Sequence, residues 1–254
     1  MSYAVYTLTI LCLAGSLGTV AAACRARGAA AQRTHLAVWV LALFLFAADW
    51  MLAQAPPFGN MRHVLAFFPL VMYPAAEYLR RYRGLCVDGW LAAASALALI
   101  GALCMPLQAS WRQMPALQSP WFAPHVISYV LSYGLMTVAA LMVLIRPLRG
   151  EQAVQDERTA DALVKLAFPF MTFGLWSGAL WADAAWGAYW SWDIKEVWAL
   201  ITWCIYLIYL HTERYSVFAS WRRPLLLLGF VAVLVTFFVV NLLPNIQSLH
   251  SYAQ

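Results

Sequence analysis

The hydrophobic residues of this 254-residue chain fall into long uncharged runs separated by short polar connections. A helix needs about 20 apolar residues to cross the hydrocarbon core of a bilayer. Eight runs approach that length and predict helices over residues 3–23, 36–54, 62–79, 88–107, 125–145, 163–181, 194–211 and 224–243. The pattern predicts an all-α, polytopic membrane protein: a bundle of about eight transmembrane helices forming a single membrane domain over residues 1–254.

The composition agrees with a protein whose solvent is the lipid bilayer. Hydrophobic residues make up 64% of the chain and charged residues 11%, whereas a soluble globular domain carries about 25% charged residues. The second and third runs are the weakest, because Asp49 and Glu77 lie near their ends. The five cysteines show no CxxC spacing, so neither a disulfide framework nor a dithiol redox site is indicated.

The basic residues indicate how the predicted helices are oriented. Thirteen of the 16 Lys and Arg residues lie in, or just beyond, alternate connections at 24–35, 80–87, 146–162 and 212–223; the others are Arg62, Arg112 and Lys195. Cytoplasmic loops carry an excess of Lys and Arg. We therefore expect both termini and the connection between the sixth and seventh helices to be extracytoplasmic. The basic pI reflects this asymmetry and does not indicate a nucleic-acid partner.

That extracytoplasmic connection is rich in tryptophan. Residues 181–203 read WADAAWGAYWSWDIKEVWALITW, and seven of the 13 tryptophans lie between Trp176 and Trp203. An ordinary interfacial belt distributes Trp over many helix ends, so this cluster favours a flat aromatic surface that receives a flat ligand. Alternatively, Trp181, Trp186 and Trp190 form one packed helix face. Residues 193–196 (Asp-Ile-Lys-Glu) are expected to cap the seventh helix and hold the loop rigid.

The five histidines are His35, His63, His125, His211 and His250. His125 opens the fifth predicted helix and His250 follows the eighth, so both are expected at the outer face, where two imidazoles beside an aromatic surface suit bis-histidine haem ligation. As an alternative, each is an interfacial polar residue. His211 ends the seventh helix near the cytoplasmic boundary. His35, flanked by arginines, is expected to be a solvated loop residue, and His63 receives no role.

Several segments resemble the CcsA (ResC) family of System II cytochrome c biogenesis, within the haem-handling protein superfamily. WGAYWSWDIKEVWALITW resembles its WWD signature, and PALQSPWFAPHVISY, IYLHTER and NLLPNIQSLHSYA are similar to the family's segments that carry His125, His211 and His250. PPFGNM resembles the loop between the second and third helices. Ile194 stands where the family usually has Pro, and Arg62-His63 stands where many members have Glu-Ser.

The resemblance implies a function in haem attachment. It implies a holocytochrome c synthase subunit that binds haem b and presents it to the CxxCH thiols of apocytochrome c, together with a separate CcsB (ResB) partner. It implies His125 and His250 as axial ligands of the haem iron and His211 as a transmembrane haem site. The other implied haem-binding residues are Trp181, Trp186, Trp190, Trp192, Asp193 and Trp198. We expect a bacterial inner membrane in preference to a thylakoid membrane.

The sequence leaves two alternative functions open. A haem exporter or chaperone without ligation activity, as in CcmC, carries the same WWD signature. A b-type electron-transfer subunit normally needs histidine pairs on facing helices within the bilayer, whereas His125 and His250 are expected at its outer boundary. The first alternative is distinguished from a synthase by whether covalent cytochrome c forms when only the CcsB partner is co-expressed.

The orientation can be tested with reporter fusions. We expect alkaline phosphatase, which is active only outside the cytoplasm, to be active when fused after Gln254 and inactive when fused after Arg214, since the basic connections are retained inside. A cytoplasmic reporter gives the reverse pattern. Activity of the cytoplasmic reporter alone after Gln254 would contradict the eight-helix topology.

Overall fold

The computed structural model describes residues 2–107, 115–148 and 150–239. Over these ranges the regular elements are helices and helical turns, without strands, which confirms the all-α class. The helices are α1 (Ser2–Cys24), α2 (Gly28–Ala53), α3 (Met61–Ala66), α4 (Phe68–Arg83), α5 (Asp88–Leu103), α6 (Phe122–Leu144), α7 (Ala153–Trp186), α8 (Ile194–His211) and α9 (Arg222–Leu234). The chain divides into two compact units, residues 1–118 and 119–254. The single membrane domain stays a prediction.

The number of membrane-spanning helices differs from the eight that hydropathy predicts. Among the described residues, six helices are long and apolar enough to cross a bilayer: Ser2–Cys24, Gly28–Ala53, Phe122–Leu144, Val154–Trp186, Ile194–Arg214 and Val217–Phe237. They correspond to all the predicted runs except the third and fourth. The fourth run forms α5, which has 16 residues and a length of about 24 Å, short of a hydrocarbon core of about 30 Å. The protein is a polytopic helical membrane protein.

The third predicted run forms two helices instead of one, because its sequence contains two separate helix starts. The Asn60 side chain caps α3 by accepting a hydrogen bond from the His63 backbone N–H at 2.9 Å. Pro69 then lies in the first turn of α4, where its missing N–H is tolerated. The run divides at Phe67 into α3 and α4, two residues before this proline.

The sixth predicted helix is longer than its apolar run. Hydropathy predicts 163–181, yet α7 spans 34 residues, Ala153–Trp186. Its charged first half stays helical because charges four residues apart pair on one face, as Lys165 does with Asp161 at 2.8 Å. At about 51 Å, α7 exceeds the hydrocarbon core and carries its polar end beyond it.

His35 is a buried residue of α2, so the expectation of a solvated loop residue is wrong. Only 1% of it is exposed, and its Nδ1 lies 3.0 Å from Asp88 Oδ1 on α5. Arg80 of α4 donates to both oxygens of the same carboxylate, at 2.9 and 2.8 Å. The arginines near His35 in sequence misled the prediction, because its partners are on two other helices. These contacts join α2, α4 and α5 within the first unit.

A second buried ion pair lies between α2 and α3. Arg62 and Asp49 have side chains 2% exposed each, and Arg62 Nη1 lies 3.0 Å from Asp49 Oδ1. Arg62 is the first residue of the third predicted helix, and His63 beside it is also buried, at 3% exposure. Pairing with Asp49 is what allows a guanidinium to be removed from water here, since an isolated charge would be far more costly.

The burial of His35 gives a stability prediction. His35→Ala should lower the free energy of unfolding by about 1–3 kcal/mol, because Asp88 loses one of its buried partners. Denaturant unfolding in detergent measures the change. Arg33→Ala is the control, because Arg33 is exposed two residues earlier on the same helix; equal losses in the two variants would contradict the role of the pair.

Candidate functional site

The Trp-rich connection lies in the second unit, between the end of α7 and the start of α8. Gly187 ends α7 with a left-handed φ of 76°, and its N–H donates to the Asp183 carbonyl at 2.8 Å. Glycine adopts this conformation without the steric cost that a Cβ would add. Residues 187–193 therefore form a short loop joining two of the candidate spans.

The predicted cap at the start of α8 is confirmed. A carboxylate oxygen of Asp193 accepts from the Lys195 backbone N–H at 3.1 Å, and the Glu196 carboxylate accepts from the Asp193 N–H at 3.1 Å. Glu196, only 8% exposed, also accepts from the Ser191 N–H at 2.9 Å. This capping box fixes the loop to the helix, because it satisfies backbone donors on both sides of the junction.

The loop itself exposes aromatic rings. Tyr189 and Trp192 are 58% and 71% exposed, and the Trp190 ring meets that of Trp192 edge to face at 5.9 Å. Trp192 has a φ of 59°, which is rare for a bulky residue. Such backbone strain, about 1–3 kcal/mol, persists only when the surroundings impose it. The cap at Asp193 supplies that constraint and holds the Trp192 ring outward.

Trp181 and Trp186 behave differently from the loop rings, because they pack inside the unit. Trp181 is 3% exposed and contacts the Phe122 ring at 5.4 Å and the Trp186 ring at 4.9 Å. Trp181 is therefore a packing residue, whereas Trp192 is largely exposed. The cluster therefore has two parts: a packed base, formed by Trp181 and Trp186 on α7, and an exposed edge in the loop, formed by Tyr189 and Trp192.

His125 lies in the first turn of α6, directly against this packed base. Its ring stacks on Trp181 at 5.5 Å with an interplanar angle of 29° and meets the edge of Tyr129 at 5.0 Å. Its Nδ1 lies 2.9 Å from the Gly174 carbonyl oxygen on α7. Because a carbonyl can only accept, Nδ1 carries the proton, and in the neutral ring Nε2 holds the lone pair. An imidazole oriented in this way is prepared to bind a metal through Nε2.

Two glycines of α7 make room for side chains of α6, Gly178 for His125 and Gly174 for Tyr129, and sequence reasoning missed both. A Cβ at Gly178 would lie 2.6 Å from His125 Nδ1, and a Cβ at Gly174 would lie 3.0 Å from the Tyr129 ring. The spacing Gly-Leu-Trp-Ser-Gly at 174–178 is a small-x-x-x-small pattern, which permits close approach of membrane helices. That pattern was the available signal for the contact between α6 and α7.

His211 is not part of this group. It ends α8, and its Nδ1 lies 2.8 Å from the Leu207 carbonyl oxygen of its own helix. Glu213, two residues further on, pairs with Lys165 of α7 at 2.7 Å, whereas His125 contacts α7 at Gly174. Lys165 and Gly174 are separated by about 14 Å of helical rise. The two histidines thus lie at different levels of the second unit.

Two predicted site residues remain, Trp198 and His250. Trp198 is half-buried on α8, one turn after the capping box. His250 lies outside the described residues. Within the described ranges, no group of three or more His, Cys, Asp and Glu side chains could hold a metal ion. The structure therefore brings together His125, Trp181 and Trp186, continued by the exposed loop that contains Trp190, Trp192 and Asp193.

Comparisons with known proteins agree with this architecture. The protein family described as Cytochrome C assembly protein matches residues 3–247. The chain is 32% identical over 246 residues to the Cytochrome c biogenesis protein CcsA of Guillardia theta, covering 82% of this chain and 80% of that protein. It is 39% identical over 154 residues to the CcsA of Chlamydomonas reinhardtii, covering 55% of this chain and only 42% of that protein.

A solved structure shares the fold. The Cytochrome c Heme Lyase CcmF superimposes with a TM-score of 0.69 over 91% of this chain and 46% of that chain, at 19% identity. Such low identity supports a likeness of fold alone.

The fold and the capped aromatic loop define a polytopic helical membrane protein with a candidate site at one end of its second unit. The chain belongs to the cytochrome c assembly protein family, and the expected resemblance to the CcsA proteins is confirmed. It has a role in cytochrome c biogenesis.

The contrast between the packed and exposed rings gives a prediction. Trp181→Ala should lower the free energy of unfolding by about 3–5 kcal/mol, because a fully packed ring is removed. Trp192→Ala should change it by less than about 1 kcal/mol, because that ring is largely exposed. Denaturant unfolding of the two detergent-purified variants checks this; similar losses would mean that Trp192 is also a packing residue.

Proposed function

We propose that this chain binds haem b at the outer membrane face and presents it to apocytochrome c. The orientation of His125 carries the proposal: the Gly174 carbonyl accepts from Nδ1–H, which directs the Nε2 lone pair to the iron. The stack on Trp181 fixes the plane of the imidazole. His250 is the proposed second axial ligand, on the basis of the family resemblance.

The aromatic loop supplies the second half of the proposed site. Haem is planar and largely apolar, so the exposed ring of Trp192, together with the half-buried ring of Trp190, offers a surface on which its face can lie. Asp193 acts as a positioning residue, because its cap holds Trp192 in the strained conformation. Trp198 lies at the base of the same loop. His211, at a different level of the unit, is proposed to bind haem at a separate transmembrane site.

The proposed reaction joins haem to the two cysteines of a CxxCH motif. Each thiol adds across one vinyl group: a carbon–sulfur bond forms, and the thiol hydrogen is transferred to the other vinyl carbon. The contribution of this chain is proximity, since holding a vinyl group beside a thiol removes much of the entropic barrier. The histidine of CxxCH would displace one axial histidine and so release the product. We propose that the chain acts as a holocytochrome c synthase together with a CcsB (ResB)-type partner.

We place the site on the extracytoplasmic side of a bacterial inner membrane, with both termini outside, because the Lys and Arg residues concentrate in the opposite connections.

The experiment measures haem and thioether formation separately. Wild-type chain and the His125→Ala variant are each co-expressed with a CcsB-type partner and an apocytochrome c. We expect His125→Ala to lower the haem-to-protein ratio of the purified chain by about tenfold or more, because an axial ligand is lost. Covalent cytochrome c should fall in parallel. Added imidazole should restore part of both, since it can occupy the vacant axial position.

The imidazole addition is also the control for misfolding, because a misfolded chain is not rescued by a small ligand. Wild-type haem ratios in both His125→Ala and His250→Ala would contradict the proposed ligation. Retained haem without covalent cytochrome c, in the wild-type chain with its partner, would instead indicate a haem exporter of the CcmC kind.

A further inference from the structure

A cavity of about 410 Å³ lies in the second unit, away from the proposed haem site. Its volume falls within the range of small-molecule sites, about 300–1,000 Å³. Four helices and one turn line it, through Val143 of α6, Glu157 of α7, Tyr209 of α8, Ala219 and Ser220 of the turn Ser216–Trp221, and Arg222, Arg223 and Leu226 of α9. None of these residues belongs to the loop of residues 187–193.

The wall of the cavity contains two arginines, each paired with a carboxylate. Arg222 pairs through Nη2 with Asp161, and Arg223 pairs through Nε with Glu157. Each ion pair engages one nitrogen of a guanidinium that has five N–H donors. The Arg223–Glu157 pair is accessible, with side chains 51% and 32% exposed, so its partners can separate at small cost. Asp161 balances the charge of Arg222, so an anion finds its cationic partner where the accessible Arg223–Glu157 pair opens.

Arg222 is held in place more firmly than Arg223. Its guanidinium carbon lies 5.0 Å from the centre of the Tyr209 ring, and the Tyr209 hydroxyl donates to Asp161 at 3.1 Å. The Arg222 guanidinium therefore contacts both the Tyr209 ring and the Asp161 carboxylate. These two contacts hold it in place without a ligand.

The floor of the cavity is apolar. Val143, Tyr209 and Leu226 are 8%, 4% and 1% exposed, and Ala219 adds a methyl group from the turn. A small, fully hydrated anion gains nothing from such a floor. An anion attached to an apolar body gains from both the wall and the floor.

The residues around the cavity indicate which kind of molecule combines an anion with an apolar body. The turn Ser216–Trp221 lies at the junction of two candidate spans, Ile194–Arg214 and Val217–Phe237. It exposes Val217, Phe218 and Trp221, which are 81%, 47% and 60% accessible. Exposed aromatic side chains beside arginines at the end of a membrane helix are typical of the headgroup level of a bilayer. The predicted orientation places this end on the cytoplasmic side, where anionic lipids and basic pockets meet.

We propose that this cavity binds the headgroup of an anionic phospholipid. Arg222 and Arg223 donate to the phosphate oxygens, and the glycerol and upper acyl region cover Val143 and Leu226. The exposed rings of the turn lie against neighbouring lipid. Phosphate binding replaces Glu157 as the partner of Arg223. This site is independent of the haem site, so its test does not depend on haem binding.

The test uses native mass spectrometry of the full chain in detergent, titrated with dioleoylphosphatidylglycerol or dioleoylphosphatidylcholine. We expect wild-type protein to bind phosphatidylglycerol preferentially. The double variant Arg222→Gln/Arg223→Gln should weaken phosphatidylglycerol binding by about tenfold or more, because two charges near the surface are lost. Arg81→Gln is the matched control, since Arg81 is an exposed, glutamate-paired arginine of the first unit; it should bind like wild type.

Glu157→Gln separates lipid binding from misfolding, because the two make opposite predictions. Removing the carboxylate that competes for Arg223 should tighten phosphatidylglycerol binding, an outcome that a damaged fold cannot produce. Equal binding of the two lipids by wild type, an equal loss in Arg81→Gln, or weaker binding in Glu157→Gln would overturn the proposal. Displacement of phosphatidylglycerol by inorganic phosphate at equal concentration would also overturn it, since the site would then bind a free anion.

Discussion

The close packing of α6 against α7 is the constraint on which the candidate site depends. In a bilayer the hydrophobic effect gives helices little reason to associate, so contact depends on close fit and on interhelical hydrogen bonds. Gly174 and Gly178 provide the fit, since a Cβ at Gly178 would lie 2.6 Å from His125 Nδ1. The Gly174 carbonyl then accepts the bond from Nδ1–H. The same contact packs the helices and orients the imidazole.

The loop of residues 187–193 is held in place at both of its ends. Trp186 packs on Trp181 at the end of α7, Gly187 turns the chain, and the capping box at Asp193 anchors the far side of the loop. Between these fixed ends, Trp192 keeps a left-handed conformation and an exposed ring. A flat ligand arriving there meets a preorganised surface, which reduces the entropy lost on binding. The first unit uses buried ion pairs, such as Arg62 with Asp49, to join its own helices.

Several features of the fold could be predicted from the sequence because they depend on local chemistry. Six of the eight apolar runs correspond to long helices, and Asp193 caps α8 as its position before the helix indicates. The predicted helix bounds were wrong where they were based on hydropathy alone, without the local signals that start or extend a helix. The third run contains two helix starts, one capped by Asn60 and one with Pro69 in its first turn. Charged residues such as Asp161 extended α7 beyond its apolar part through pairing along the helix. The prediction for His35 was wrong because its neighbours in sequence are arginines. Its contacts in the fold are Asp88 and the Tyr73 ring, both of which are distant in sequence.

The sequence by itself determined that the protein is helical and membrane-embedded, that one connection concentrates tryptophan, and that the chain resembles CcsA proteins, because composition and motifs are local properties. Only the tertiary structure decided which rings pack and which face outward: Trp181 is buried and Trp192 exposed, although both belong to one aromatic cluster. It also separated His211 from His125 and created the arginine-lined cavity. These outcomes depend on contacts between helices distant in sequence, and those contacts are set by helix ends and small residues that hydrophobic periodicity does not specify.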